Sequence, residues 1–379
     1  MKKKKVVVGL SGGVDSAVSA YLLKEQGYEV IGLFMRNWDS AANNDVLGNP
    51  NDPNDPCPQE QDYMDAVAIA KHLGIELHRH DFVNEYWDYV FTYFIEEYKK
   101  NRTPNPDILC NKYVKFAGFQ EVARELGGDY FAYGHYARRR SKDGEHFLLR
   151  GLDQNKDQSY FLSHLSQEQL AHSLFPVGEL EKSEVRKIAK EQKIPTFDKK
   201  DSTGICFIGE RDFKAFLKNY IFTKPGDIET TDGDIIGKHD GLMYYTIGQR
   251  KGLEIGGHKD YSNAPWFVVG KDIKKNALIV GQGKNHPLLF ANRVIVEDVH
   301  WISKDKFEGE FECLAKFRYR QKDQTVIIHW INETDIEVIS NHPIKAVTPG
   351  QAAVFYQGEV CLGGGVIKAS YQNQDKLMY

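Results

Sequence analysis

The chain is 379 residues long, 41% apolar and 27% charged, a composition that suits two or three packed modules, and no run approaches the ~18 apolar residues of a bilayer span. Its cysteines, Cys57, Cys110, Cys206, Cys313 and Cys361, are odd in number, scattered and without a C-x-x-C pair, which argues for a reducing cytoplasm and against a secreted disulfide framework, a structural metal or an iron–sulfur cluster. The net charge of −4 hides seven acidic and no basic residues from Asn37 to Asp65, against seven basic and three acidic from Lys182 to Lys200, so a polyanionic partner is not excluded.

In chain order, a basic start leads into Val6–Leu10, an apolar run too short for a signal-peptide core and read as a buried strand. There follow a helix over Asp15–Gln26, a strand over Glu29–Met35, a helix over Tyr63–Leu73, a strand over Ile75–Phe82, helices near Glu85–Lys99 and Lys112–Leu126, and a strand over Tyr130–Ala137. This alternation predicts a doubly wound α/β domain whose parallel sheet is covered on both faces. Asn37–Gln61, rich in Asn, Asp and Pro, reads as a long mobile loop unable to bury a core. A helix around Ser183–Gln192 ends at Ile194-Pro195, and after a short helix over Asp212–Tyr220 the pattern changes to Gly-rich turns and β-branched runs. The expected organisation is an α/β domain over 1–208, a small mainly β module over 209–285 and a β-barrel over 286–379.

The first strand runs straight into Ser11-Gly12-Gly13-Val14-Asp15-Ser16, where a helix begins. Glycines let the backbone curl with its N–H groups aimed at one point, and the helix N-terminus adds positive potential. Gly9, Leu10, Ser11, Gly12, Gly13, Val14, Asp15 and Ser16 therefore form a candidate phosphate site. It is neither a Walker loop nor a dinucleotide fingerprint, because Gly-Lys-Ser/Thr and G-x-G-x-x-G are both missing. The stretch resembles the SGGxDS loop of the PP-loop ATPases. That resemblance implies ATP cleaved to AMP and pyrophosphate, with Asp15 near the pyrophosphate and its Mg²⁺. Met35, ending the second strand, stands where an open α/β sheet lodges an adenine, although an ordinary core methionine fits that position as well.

Pro104 to Asn111 reads as a proline-braced turn into the Lys112–Leu126 helix. A thiol at such a helix start has its thiolate stabilised by the dipole and by Lys112, and Asp107 is close enough to Cys110 to carry a proton or contact a substrate ring. Cys206 lies between Gly204 and Gly209 at the expected module junction.

Taken in order, Ser11–Ser16, Asn105-Pro106-Asp107 with Cys110-Asn111, Gly134-His135-Tyr136, Lys156-Asp157-Gln158-Ser159-Tyr160, Gly204-Ile205-Cys206-Phe207 and Tyr245–Gly252 resemble the tRNA 2-thiouridylase family, over a span from about residue 6 to Gly365. The resemblance implies ATP-dependent 2-thiolation of the wobble uridine of tRNA, by adenylation of uracil O2 and sulfur transfer from a persulfide on Cys206. Cys110 is then the nucleophile, acting through a transient disulfide with Cys206 or through freed hydrosulfide, and Asp107 is the general acid and base. A Cys110–Cys206 bond requires α-carbons within about 7 Å at some stage. Gly134 is carried over as an ATP contact and His135 as its neighbour on the tRNA side. Asn105, Pro106 and Asp107 are carried over as contacts to the extruded base, and Lys156, Asp157, Gln158, Arg318, Tyr319 and Gln351 as contacts to tRNA. Gln249-Arg250-Lys251 reads as a basic, RNA-facing turn. The implied partners are the glutamate, glutamine and lysine tRNAs and a persulfide donor, either a sulfur relay protein or a cysteine desulfurase. An adenylating PP-loop ligase or amidotransferase with another acceptor keeps the ATP chemistry and needs neither cysteine.

Overall fold

The computed structural model describes residues 3–47, 58–201, 208, 212–256, 261–303 and 309–378. Strands β1 (Lys5–Gly9), β2 (Glu29–Arg36), β3 (Glu76–Asp81), β4 (Tyr130–Ala132) and, after a hairpin of β5 (Ala137–Lys142) and β6 (Glu145–Arg150), β7 (Ser173–Leu174) are its first seven. Five of them form a parallel sheet in the order β3-β2-β1-β4-β7. Val6 and Val8 of β1 enter a core with Val18 of the helix Val14–Glu25, Ile69 of the helix Pro58–Leu73 and Val185 of the helix Lys182–Glu191. Val7 enters the core on the opposite face with Phe119 and Phe131. A central parallel strand buried on both faces has no polar side to show, hence the unbroken Val6-Val7-Val8 run. The strand order reverses between β1 and β4, so the turns leaving their C-terminal ends border the crevice where such sheets bind ligands.

The middle module is a four-stranded sheet, β8 (Gly226–Thr230), β9 (Ile235–His239), β10 (Trp266–Asp272) and β11 (Ala277–Gln282), in the order β10-β11-β8-β9. Among the described residues the last module has six long strands, β12 (Phe290–Trp301), β13 (Phe311–Lys316), β14 (Gln324–Trp330), β15 (Ile336–Lys345), β16 (Ala352–Gln357) and β17 (Val360–Gln372), and a two-residue strand, Asp375–Lys376, beside β17. They pair antiparallel in the order β12-β15-β14-β13-β16-β17, and β17 returns to β12 to close a barrel around Val294, Ala315, Ile328, Val338 and Phe355. One strand pairing crosses from the first module to the last: β6 pairs with β17 through Leu149↔Val360 and Leu148↔Cys361, so the β5–β6 hairpin extends the barrel's sheet.

Three local expectations are corrected. The helix expected from Lys112 starts six residues earlier, with Asn105 at the N-cap (φ −118°, ψ 93°) and Pro106 in the first turn, and continues to Glu125 through widened turns over Cys110–Gly118. Proline at the first helical position has no N–H to lose and a φ already helical, so Pro106 begins a helix where it was read as part of a turn. The strand expected to reach Ala137 stops at Ala132, because Gln158 pairs with Tyr136 instead: its amide N–H donates to the Tyr136 carbonyl (2.8 Å) and its side-chain oxygen accepts from the Tyr136 N–H (2.9 Å).

The third correction concerns Asn37–Gln61, whose first part does bury a core. Trp38 is 1% exposed, its indole N–H donates to Asp45 (3.0 Å), and its ring lies 4.9 Å from Phe91 and 6.2 Å from Phe216 of the helix Phe213–Lys218. One large aromatic side chain with a partner for its N–H outweighs the polar composition around it. Residues 48–57 of that stretch lie outside the described residues. Replacing Trp38 by alanine should lower unfolding stability by about 3–5 kcal/mol, the cost of a large buried cavity, as measured by equilibrium denaturation.

Candidate functional site

The turn after β1 is held open by its own side chains. Ser16 Oγ donates to the Gly13 carbonyl (3.0 Å), accepts from the Ser11 N–H (3.2 Å) and lies 3.2 Å from Ser11 Oγ. Gly12 sits at φ +76°, and a Cβ there would fall 2.4 Å from the Asp62 carbonyl oxygen, so both conformation and space require glycine. Gly13 is the N-cap of the helix Val14–Glu25 and has no side chain to cap it, which leaves the first amides of that helix without a side-chain acceptor at the N-cap. Across the crevice, Gly134 stands against this turn so tightly that a Cβ would meet the Ser16 nitrogen at 2.8 Å. Met35 is buried, and its Cε lies beside Gly9.

The structure adds charged residues that the motifs did not name. The Asp15 carboxylate accepts from Tyr136 Oη (2.9 Å) and from Lys182 Nζ at 2.7 and 2.9 Å. Lys182 also pairs with Asp201 (2.9 Å), to which Lys156 (2.7 Å) and Arg186 (2.8 Å) are bound as well. Burial alone would raise Asp201, but the hydrogen bonds and charges of Lys156 and Lys182 outweigh it and hold this carboxyl far below its usual range. Burial and the adjoining Asp15 charge push Tyr136 well up, so its hydroxyl remains a donor. On the other lip, Lys199 donates to Asp62 (2.8 Å) and Asp65 (2.6 Å) within 3.4 Å of the Gly12 carbonyl. The sequence signal for these cations was the basic run from Lys182 to Lys200.

His135, expected beside Gly134 on the tRNA side, is 8% exposed with its ring among Phe116, Tyr133 and Phe175, and its Nδ1 has no hydrogen-bond partner among the described residues. Burial, with Lys115 nearby, holds it well below the usual imidazole range, so it is neutral at pH 7.

Asp107 and Cys110 lie three residues apart in the helix and hence on one face. Cys110 is fully buried and falls in the second helical turn, so it gains less from the helix dipole than a thiol at the N-terminus would. Asn111 donates to the Phe161 carbonyl (3.1 Å), and the Phe161 ring packs 4.4 Å from Tyr319 of the barrel. Gln351 donates to the carbonyls of Thr103 (2.9 Å) and Pro104 (3.2 Å), directly ahead of Asn105 and Pro106. The neighbouring Arg318 donates to the Ile247 carbonyl (3.3 Å) of the middle module. Asn105–Cys110, Tyr319 and Gln351, far apart in sequence, are thus brought into one region.

Other candidates have structural work to do. Asp157 is buried and accepts from the Gly151 and Ser159 amides (3.0 and 3.1 Å), Gln158 fastens Tyr136, and Lys156 is bound to Asp201. In the basic turn, Gln249 closes on the Thr246 amide (3.0 Å) and the Lys251 carbonyl (3.0 Å) and leaves Arg250 and Lys251 exposed. Burial pushes the Cys313 and Cys361 thiols up to about 12, which disqualifies both as nucleophiles near pH 7. Cys206, and with it the Cys110–Cys206 pairing, lies outside the described residues.

Comparison with known proteins identifies the family. Residues 4–210 match the family model of the tRNA methyl transferase HUP domain, 214–282 the tRNA methyl transferase PRC-barrel domain and 291–367 the aminomethyltransferase beta-barrel domain. The chain is 56% identical over 371 residues to the tRNA-specific 2-thiouridylase MnmA of Proteus mirabilis, covering 98% of each chain. It is 58% identical to that of Mesoplasma florum (96% of this chain, 99% of that one) and 52% identical to that of Bacillus thuringiensis strain Al Hakam (99% and 97%). The chain belongs to the tRNA-specific 2-thiouridylase family. Among solved structures, a 4-thiouridine synthetase–RNA complex with bound ATP matches at a TM-score of 0.35 and 16% identity over 55% of this chain and 46% of that one, too slight a likeness to carry an argument.

Within this thiouridylase chain, Gly134 gives the most direct test of the loop. A Gly134→Ala protein has to move the Asp15–Ser16 backbone, so titration with ATP should show affinity reduced by tenfold or more, while thermal unfolding shows a loss of only about 1–3 kcal/mol.

Proposed function

We propose that the protein thiolates position 2 of the wobble uridine in tRNA, as a tRNA-uridine 2-sulfurtransferase. The observation that carries this reading is the family relationship over nearly the whole chain, 56% identity across 98% of both sequences. The carbonyl oxygen at C2 of uracil is a poor leaving group, so sulfur cannot displace it directly. The loop Ser11–Ser16 holds ATP, and attack of the uracil O2 on the α-phosphate releases pyrophosphate and leaves AMP as the group to be displaced. Gly9, Leu10, Met35 and Gly134 border that ATP. Asp15 is the loop carboxylate fitted to the Mg²⁺ that accompanies ATP, and the ion would neutralise charge on the pyrophosphate.

Sulfur then comes from a persulfide on Cys206. In one route, Cys110 as thiolate attacks the inner sulfur of Cys206 and expels hydrosulfide, which adds at C2 and displaces AMP. In the other, the terminal persulfide sulfur displaces AMP first, and Cys110 then releases the thiolated base by attacking Cys206. Both routes end in a Cys110–Cys206 disulfide, which two equivalents of an external thiol reduce by way of a mixed disulfide, leaving both cysteines as thiols and the external pair as a disulfide. Asp107, on the same helical face as Cys110, moves the protons, and the bond network that fixes the entry to Asn105 supports its role beside the extruded base. Neutral His135, Lys156, Asp157, Gln158, Arg318, Tyr319 and Gln351 serve tRNA binding, some by contact and some by fixing the elements that make contact. The substrates are the glutamate, glutamine and lysine tRNAs, and the persulfide arrives from a relay protein or a cysteine desulfurase. No helix among the described residues is long and apolar enough to cross a membrane. The tRNA substrate would place the work in the cytoplasm.

Purified protein given ATP, Mg²⁺, a persulfide donor and unmodified tRNA should form 2-thiouridine with one AMP per thiolation, read by mass spectrometry of nucleoside digests and by nucleotide chromatography. Cys110→Ala and Cys206→Ala should abolish thiolation, and Asp107→Asn should slow it by about 10²–10⁴-fold. Release of ADP, or full thiolation by either cysteine variant, defeats this reading.

A further inference from the structure

A cavity of about 240 Å³ opens where the three modules meet, and neither the loop nor Cys110 lines it. Its wall carries five cations, Lys100, Arg102, Lys271, Lys368 and Lys376, and no acidic side chain. Behind the wall stand three carboxylates. Glu97 pairs with Lys100 (2.9 Å) and Arg102 (3.4 Å), Glu297 with Arg102 (3.1 Å) and Lys368 (3.2 Å), and Asp335 with Lys368 (3.7 Å). Lys100, Arg102 and Lys368 are matched by these carboxylates, whereas Lys271 and Lys376 pair with no carboxylate among the described residues.

Lys271 is the unusual member. It comes from β10 and is 4% exposed, and its ammonium donates to the Asn101 carbonyl (2.8 Å) as its one hydrogen-bond partner among the described residues. An ammonium buried with a single carbonyl is costly, and burial pulls it down to about 7. A methionine of similar length would fill the same space without that cost, whereas an anion in the cavity would offset it and favour the charged form of Lys271. The Asn101 it holds lies two residues before Thr103, at the start of the segment that enters the helix of Asp107 and Cys110.

We propose that this cavity binds a phosphate group, which completes the coordination of Lys271 and fixes residues 101–104 against the barrel. The group is either a backbone phosphodiester of the bound RNA or a free phosphate ion, and the volume admits it with several waters. The phosphodiester source rests on the tRNA reading given above; the cavity itself does not.

The test compares wild type with Lys271→Met and Lys376→Glu, the second an exposed change that leaves the fold intact. Thermal unfolding is followed against inorganic phosphate, and unmodified tRNA binding is measured across a salt series. The phosphate loop is unaltered in all three proteins, so its own response cancels. The wild-type melting temperature should rise with phosphate, and each variant should lose a part of that rise. Lys271→Met should melt no lower than wild type without phosphate. If the RNA backbone supplies the group, each variant also lowers the slope of log affinity against log salt by about 1. An unchanged slope with a lost phosphate response assigns the site to the free ion. If the phosphate response of both variants equals that of wild type and their salt slopes are unchanged, the proposal is wrong. A wild-type protein that fails to bind tRNA would sink the thiolation reading, while the phosphate arm would still judge the cavity.

Discussion

The thiol end of the site depends on the hydrogen bonds that close around Thr103. Its N–H donates to the Pro349 carbonyl (3.0 Å), its carbonyl accepts from Gln351 (2.9 Å), and its hydroxyl lies 3.2 Å from that of Thr246. The first two partners come from the barrel and the third from the middle module, so the backbone leading into Asn105 is satisfied by the docked barrel, and the middle module adds a contact to the Thr103 side chain. Gly350 lets the barrel come this close: a Cβ there would stand 3.0 Å from the Arg102 Cβ and from the Thr103 backbone. A buried backbone group without a partner costs about as much as a lost hydrogen bond, so the junction acts as a condition on where Asp107 and Cys110 point.

At the other end of the crevice the controlling quantity is charge. Lys182 bridges Asp15 of the loop and Asp201, and Asp201 gathers Lys156 and Arg186 as well. Lys156 belongs to a turn that docks into the barrel, where Tyr160 donates to the Ala352 carbonyl (2.9 Å). An anion entering the loop meets Lys182 and Lys199 already held in place, so fewer side-chain rotamers have to be frozen when it binds.

The sequence made the loop legible because its chemistry is local: a strand, two glycines and a helix start within a dozen residues. The sheet was legible for the same reason, through Val6-Val7-Val8 and its alternation with helices. The start of the Cys110 helix was misplaced because Pro104 and Pro106 look alike in sequence, whereas only Pro106 occupies a helical first turn. Trp38 was hidden by its polar neighbours, since the rings that bury it come from Phe91 and Phe216. The partners of Asp15, the burial of His135 and the role of Gln351 are all long-range facts, and periodicity within a window carries no trace of them. Gly204–Phe207 was legible only as a motif.

The pairing of β6 with β17 has a temporal side. Leu149 leaves the ribosome about two hundred residues before its partner Val360, roughly 10 to 40 s at ordinary elongation rates. Throughout that interval β6 has an open edge, while on the hairpin's other edge β5 holds Arg138, Arg139, Arg140 and Lys142, charges of the kind that keep that edge from recruiting the wrong strand. The domain that carries the Ser11–Ser16 loop therefore gains this strand pairing only after residue 360 has been made, long after its own sheet is complete in sequence.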